Sequence, residues 1–155
     1  MSLDQIAWVN FQDVIDDRGR LTAIEENVHI PFSIARIFYV HQVVSGVDRA
    51  GHAHRDTDQV VAGIHGFLKM DVSDGTIIKT YVLDNPGKGL FVPKMVWIRL
   101  YTFSQDAVCL VLANTKYDRS KSIRTWKEYL EVRGLPCMEE PNAGALGENM
   151  GIKYE

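Results

Sequence analysis

His52 and His54 stand two residues apart within GVDRAGHAHRDTDQVVAGIHG, residues 46–66. Residues two apart on a strand point to one face, so both imidazoles would project together from a sheet. A same-faced pair suits proton transfer near neutral pH, because imidazole is half-charged at about pH 6.5. Such a pair can take a proton from one carbon and return it at a neighbour. Gly51, directly before the pair, leaves room for backbone or ligand to come close. Arg49, three residues before His52, would sit on the loop entering such a site. A guanidinium there disfavours the charged imidazoles and suits an anionic ligand such as a phosphate. Tyr39, on the preceding strand, is a candidate donor to a developing oxyanion. Trp97 and Tyr101 are candidates to stack on a base or sugar, although aromatic strand residues more often pack in cores. Lys94 and Arg99 are weaker candidates to neutralise a diphosphate. His29, His41 and His65 are scattered and take no role.

The spacing Gly46-x5-His52-x-His54-x4-Gln59-x6-Gly66 resembles the first motif of the cupin superfamily, with Gln59 where many cupins have Glu. A degenerate second motif follows in Gly87, Pro93, Met95 and Ile98, with Ile98 where a metal cupin shows His. A zinc or iron site uses at least three protein ligands; glutamine is a poor one and isoleucine none. No metal and no cofactor is therefore expected; His41 and His65, the other candidates for a third imidazole, stand outside the motif positions. Acid–base chemistry is the preferred role of the pair, and Gln59 is grouped with the substrate-binding residues.

The elements that must position these residues read as β structure. Short β-branched and aromatic segments between close-set turns are the pattern of a sandwich or barrel. Strands are expected at Ala7–Phe11, Arg20–Glu25, Ile34–Val44, Phe67–Val72, Thr76–Leu83, Val96–Phe103 and Ala107–Ala113, with VVAGIH strand-like after the histidines. The SDG at 73–75 suits a hairpin turn, and DDRG at 16–19 is a turn in which Arg18 would sit. Ser122–Val132 carries Ile123, Trp126 and Leu130 at helical spacing, and Gly134 and Pro136 stop that helix. The expected fold is all-β, a cupin-type jelly-roll β-sandwich with a short C-terminal helix, over residues 1–134. Residues 135–155 are expected to form a loosely ordered tail.

Composition excludes several function classes. With 155 residues, 46% of them hydrophobic, and a net charge of −3, the chain is expected to be one domain. It offers no general attraction to nucleic acid or an anionic membrane. Its first residues lack the basic and apolar regions of a signal peptide, and no apolar run approaches a membrane span of ~18 residues. Two cysteines make no disulfide framework; Cys109 is expected buried and Cys137 unpartnered. The expectation is a cytoplasmic protein.

A more specific resemblance spans about residues 8–130. The blocks DDRGRLTAIEEN, IPFSIARIFYV, RAGHAH, DNPGKGLFVPKMVWIRLYTFSQDAVCLVLAN and YDRSKSIRTW together resemble the nucleotide-sugar 3,4-ketoisomerases, the WxcM-like cupins. The resemblance implies a metal-free jelly-roll homodimer acting on a dTDP-linked 4-keto-6-deoxyhexose, its ketone moving from carbon 4 to carbon 3. Carried over by motif, the catalytic pair falls on His52 and His54, the strand tyrosine on Tyr39, the arginine before the histidines on Arg49, and the Arg-Gly step near the sugar on Arg18 and Gly19. Relatives often read Trp-x-Glu-Met-x-Asp-Phe-Ser where this chain runs from Trp97 through Arg99, Leu100, Thr102 and Phe103 to Ser104, and the late acidic residue is Lys121. These departures leave open the sugar and the configuration of the product at carbon 4. The alternatives are a non-catalytic nucleotide-sugar-binding cupin, a metal-dependent cupin enzyme, and an epimerase acting on the same keto sugar.

Overall fold

The computed structural model describes residues 3–44, 46–47, 49–141 and 153–154. Its first strands are β1 (Ala7–Asn10), β2 (Gln12–Asp16), β3 (Gly19–Ala23), β4 (Arg36–His41), β5 (Arg49–His54) and β6 (Gln59–His65). There follow β7 (Leu68–Ser73), β8 (Ile78–Leu83), β9 (Lys88–Val92), β10 (Trp97–Tyr101), β11 (Val108–Ala113) and β12 (Ser122–Ile123). A helix, α1 (Trp126–Arg133), and a last short strand, β13 (Lys153–Tyr154), complete the order.

Two sheets form from these strands. One runs β1-β9-β6-β11-β4 and the other β12-β5-β10-β7-β8-β13, while β2 and β3 pair as a separate hairpin. The main core lies between the sheets: Val61, Leu90, Val92, Cys109 and Val111 from the first meet Leu68, Met70, Val72, Leu83 and Ile98 from the second. Each fully buried aliphatic side chain of this kind contributes about 1.5–3 kcal/mol by leaving water. Cys109 is buried among them, as expected, and Cys137 is exposed.

The helix begins later than its apolar spacing suggests. Thr125 is extended, and its side-chain oxygen accepts from the Glu128 N–H at 3.2 Å, which caps the helix at Trp126. Ser122 and Ile123 instead pair with His54 and Ala53 of β5. At the other end Gly134, at φ 70°, donates its N–H to the last carbonyls, the left-handed stop glycine favours. Packed on the outer face of the six-stranded sheet, α1 joins Trp126, Tyr129 and Leu130 to Ala53, Trp97 and Ile123. The Tyr129 hydroxyl reaches the carbonyls of Ser73 at 3.0 Å and Met95 at 2.8 Å. That pins the helix beneath β5, the strand that carries the histidines.

Beyond the helix, Leu135 packs on the same cluster. Glu140 accepts from Trp97 Nε1 at 2.9 Å, and Arg99 Nη1 donates to the Pro141 carbonyl at 2.7 Å. The expectation of a loose tail falls, from residue 142 to 152, outside the described residues. Among those described, no helix is long and apolar enough to cross a membrane.

Candidate active site

Strands β4 and β5 face each other across one end of the sandwich and enclose a cavity of about 380 Å³, within the range of small-molecule sites. Strand alternation selects its walls. From β4 come Arg36, Phe38 and Val40, and from β5 come His52 and His54; Leu100 of β10 lies beneath. Tyr117, Ser122 and Arg124 close the rim, held in place because Ser122 pairs with His54 across the β12–β5 ladder.

The two imidazoles stand edge to face, with ring centroids 4.9 Å apart. Ala53 between them is buried on the opposite face against α1, so the two-residue spacing does place both rings on the cavity side. Gly51 lets the sheet close. A Cβ there would lie 2.4 Å from Cζ2 of Trp97, closer than any side chain tolerates. His54 Nε2 lies 3.0 Å from Nε2 of Gln59, which is buried at the start of β6. Burial, then the neighbouring His52 and Arg36, push the His54 pKa down to about 4, with Asp56 pulling weakly the other way and Arg124 adding to the depression. His54 is thus neutral across the physiological range.

Arg36 is the group that the motif analysis missed. Its guanidinium carbon sits 5.1 Å from the Phe38 ring centroid and 5.3 Å from that of Tyr117. Its buried Nε has no hydrogen-bond partner. Aromatic stacking holds the fork, while the unpaired N–H leaves it a donor to spare. The signal was present in the blocks IARIFYV and YDRSKSIRTW, which hold Arg36, Tyr117 and Arg124. Only the fold shows that these two blocks meet.

The other candidates separate. Tyr39 lies on the outer face of β4 with Ile37 and is exposed; strand alternation turns it away from the cavity that Phe38 and Val40 line. Trp97 and Tyr101 also face away. Trp97 is buried against Trp126, and the Tyr101 hydroxyl donates to buried Asp71 at 2.7 Å, so both are core residues rather than stacking platforms. Arg18 is at the tip of the β2–β3 hairpin, paired with Asp16 at 2.7 Å and 89% exposed, which keeps it out of the cavity. Arg49 opens β5 opposite Leu100; its side chain lies outside the described residues. Lys94 and Arg99 are not cavity residues: Lys94 lines a separate surface depression, and Arg99 is engaged by Pro141 and Glu140.

The donor set does not suit a metal. Gln59 and Ile98 occupy two of the ligand positions of a metal cupin, and among the described residues no group of three His, Cys, Asp or Glu side chains is arranged to hold an ion.

Fold and cavity together are those of a cupin-type enzyme that works by moving protons. The chain belongs to the sugar 3,4-ketoisomerase family, matching the family described as "WxcM-like, C-terminal" (FdtA) over residues 4–134. It is 40% identical over 121 residues to TDP-4-oxo-6-deoxy-alpha-D-glucose-3,4-oxoisomerase of Aneurinibacillus thermoaerophilus, which spans 78% of this chain and 87% of that relative. The structure is similar to that of the sugar 3,4-ketoisomerase QdtA of Thermoanaerobacterium thermosaccharolyticum in complex with TDP. There the TM-score is 0.83 at 32% identity, covering 86% of this chain and 97% of the other. A 3,4-ketoisomerase of Helicobacter canadensis gives a TM-score of 0.81 at 34% identity, with 84% and 98% covered.

Proposed function

We propose that this chain moves the ketone of a dTDP-linked 4-keto-6-deoxyhexose from carbon 4 to carbon 3, using histidine acid–base chemistry and no metal. The observation that carries this reading is the same-faced histidine pair, His54 held neutral, in one cavity with a partly unpaired arginine. The carbon 3 hydrogen lies next to the carbon 4 ketone and is acidic for a C–H. A histidine removes it; the C–H electron pair becomes a carbon–carbon double bond, and the carbonyl oxygen takes the negative charge. Arg36 is suited to that oxygen, a role first expected of Tyr39, and one such donor is typically worth roughly 3–4 kcal/mol. The hydroxyl proton of carbon 3 passes to the oxygen of carbon 4, the carbon 3 carbonyl forms, and carbon 4 takes a proton from a histidine. Arg124, exposed at the rim, suits the diphosphate.

The working form is a homodimer. Support comes from apolar side chains left in water: Ile37 and Tyr39 on the edge strand β4, and Val14, Ile15 and Leu21 on the β2–β3 hairpin. Symmetric pairs are the common way to cover such faces. Tyr39 is then an interface residue. Incubation with dTDP-4-keto-6-deoxyglucose, with product identification by NMR after dialysis against a strong chelator, tests activity and metal independence together. Activity that vanishes and returns with one divalent ion would defeat the metal-free mechanism.

A further inference from the structure

Glu140 and Pro141 lie beyond residue 134, where the family match ends, yet they are fastened to the sheet that carries the histidines. Arg99 Nη1 donates to the Pro141 carbonyl at 2.7 Å and lies 3.5 Å from Glu140 Oε1. That same oxygen accepts from Trp97 Nε1 at 2.9 Å. Two indoles meet here, and only one is served. Trp126 packs on Trp97 with ring centroids 5.5 Å apart, and its buried Nε1 has no hydrogen-bond partner among the described residues. Trp97 is the indole that touches the back of the active site. A Cβ on Gly51 would fall 2.4 Å from its Cζ2 and 3.0 Å from Glu140 Oε1. With no side chain at Gly51, the ring lies directly on the backbone one residue before His52. Strand alternation puts Gly51 on the outer face with Trp97 and puts His52 on the cavity face.

We infer that Glu140 is a positioning residue: through the Trp97 indole it holds the β5 backbone, and with it the rings of His52 and His54, in their working place. The effect on turnover rests on the ketoisomerase reading; the hold on the histidines does not. A buried indole N–H keeps an acceptor, so removal of the Glu140 oxygen leaves the Trp97 ring to shift toward another partner. Trp126 and Tyr129 pack against the ring from the helix, which leaves the bare backbone at Gly51 as the side that gives. Misplacing a reacting group by about 1 Å can cost about 10²-fold in rate, so a fraction of that shift is enough to register. The hold needs an acceptor rather than a charge. A glutamine oxygen at position 140 accepts from the same N–H, and Arg99 keeps the Pro141 carbonyl in either case.

The test is NMR on the full chain, observing the Trp97 indole N–H and the histidine ring C–H signals, with the two rings assigned by their loss in His52→Asn and His54→Asn. Glu140→Ala should move the Trp97 signal upfield and shift the His52 and His54 ring signals. Glu140→Gln should leave both rings as in wild type. With the keto sugar, Glu140→Ala should lower kcat by about 10-fold at nearly constant KM, because Glu140 lies outside the cavity, and Glu140→Gln should recover most of the rate. Histidine rings that stay in place in Glu140→Ala overturn the inference. So does a Glu140→Gln protein as impaired as Glu140→Ala, or a change confined to KM. A wild-type Trp97 N–H that exchanges as fast as a solvent-facing indole overturns it without needing any variant to fold. If the rings move as expected but the wild type isomerises no sugar, the hold stands and the ketoisomerase reading falls.

Discussion

Ile98 lies directly opposite His52 across the β5–β10 ladder and is 4% exposed. In a metal cupin that position would face the ion; here it presents a hydrocarbon to the imidazole. An aliphatic wall beside an imidazole can neither hold an ion nor exchange a proton with it. Replacement of a ligand by isoleucine therefore does more than remove a metal. It shapes the environment in which the histidines work.

Loss of either imidazole should stop turnover without unfolding the protein. General acid–base groups contribute about 10²–10⁴-fold, so His52→Asn and His54→Asn should each lower kcat by at least 10²-fold. Circular dichroism and dTDP binding by calorimetry should remain near wild type. Near-full turnover in both variants would remove histidines from the chemistry.

Arg36→Gln should keep a polar side chain between Phe38 and Tyr117 but lose the charge. The expected fall in kcat is about 10²–10³-fold, typical of one lost donor to a developing oxyanion. Arg36→Lys should restore little, because a single ammonium does not reproduce the stacked fork. Steady-state kinetics on the two variants decides this; a change confined to KM would place Arg36 on the diphosphate instead.

Tyr39 separates the outer face of β4 from the cavity. Tyr39→Phe should turn over at near wild-type rate, whereas Ile37→Glu with Tyr39→Glu should shift the mass in solution from dimer to monomer. Light scattering after size exclusion gives the mass. A Tyr39→Phe enzyme with 10²-fold lower kcat would return the hydroxyl to the reaction.

His54 also ties stability to pH. Its folded pKa, about 4, lies below the usual value of 6.5. Between those values the unfolded chain binds a proton that the folded chain does not, so stability is lost as pH falls through this window. It is fully present above about pH 6.5. Urea midpoints for wild type should drop between pH 6.5 and 4, and His54→Asn should flatten that part of the slope. Parallel curves would show that His54 does not carry the effect.

Much of the site was legible because strand geometry is simple. Two histidines separated by one residue share a face, and the glycine before them marks a close approach, here to Trp97. The direction in which Tyr39 turns was not legible. In IARIFYVHQVV both alternating faces mix apolar and polar residues, so periodicity cannot say whether Arg36, Phe38 and Val40 or Ile37, Tyr39 and His41 turn inward. Trp97 and Tyr101 read as stacking platforms because a helix more than twenty residues further on, which buries Trp97, is invisible to local pattern. Helical spacing from Ser122 likewise missed that Thr125 caps and that Ser122 and Ile123 extend the sheet. Arg36 and Tyr117 meet only through the fold.

The most direct test of the whole account is isomerisation of dTDP-4-keto-6-deoxyglucose by the metal-stripped protein in deuterated water, followed by NMR. The account predicts a 3-keto sugar carrying deuterium at carbon 4. A sugar whose ketone stays at carbon 4, whether unlabelled or inverted at carbon 3 or 5, would contradict it.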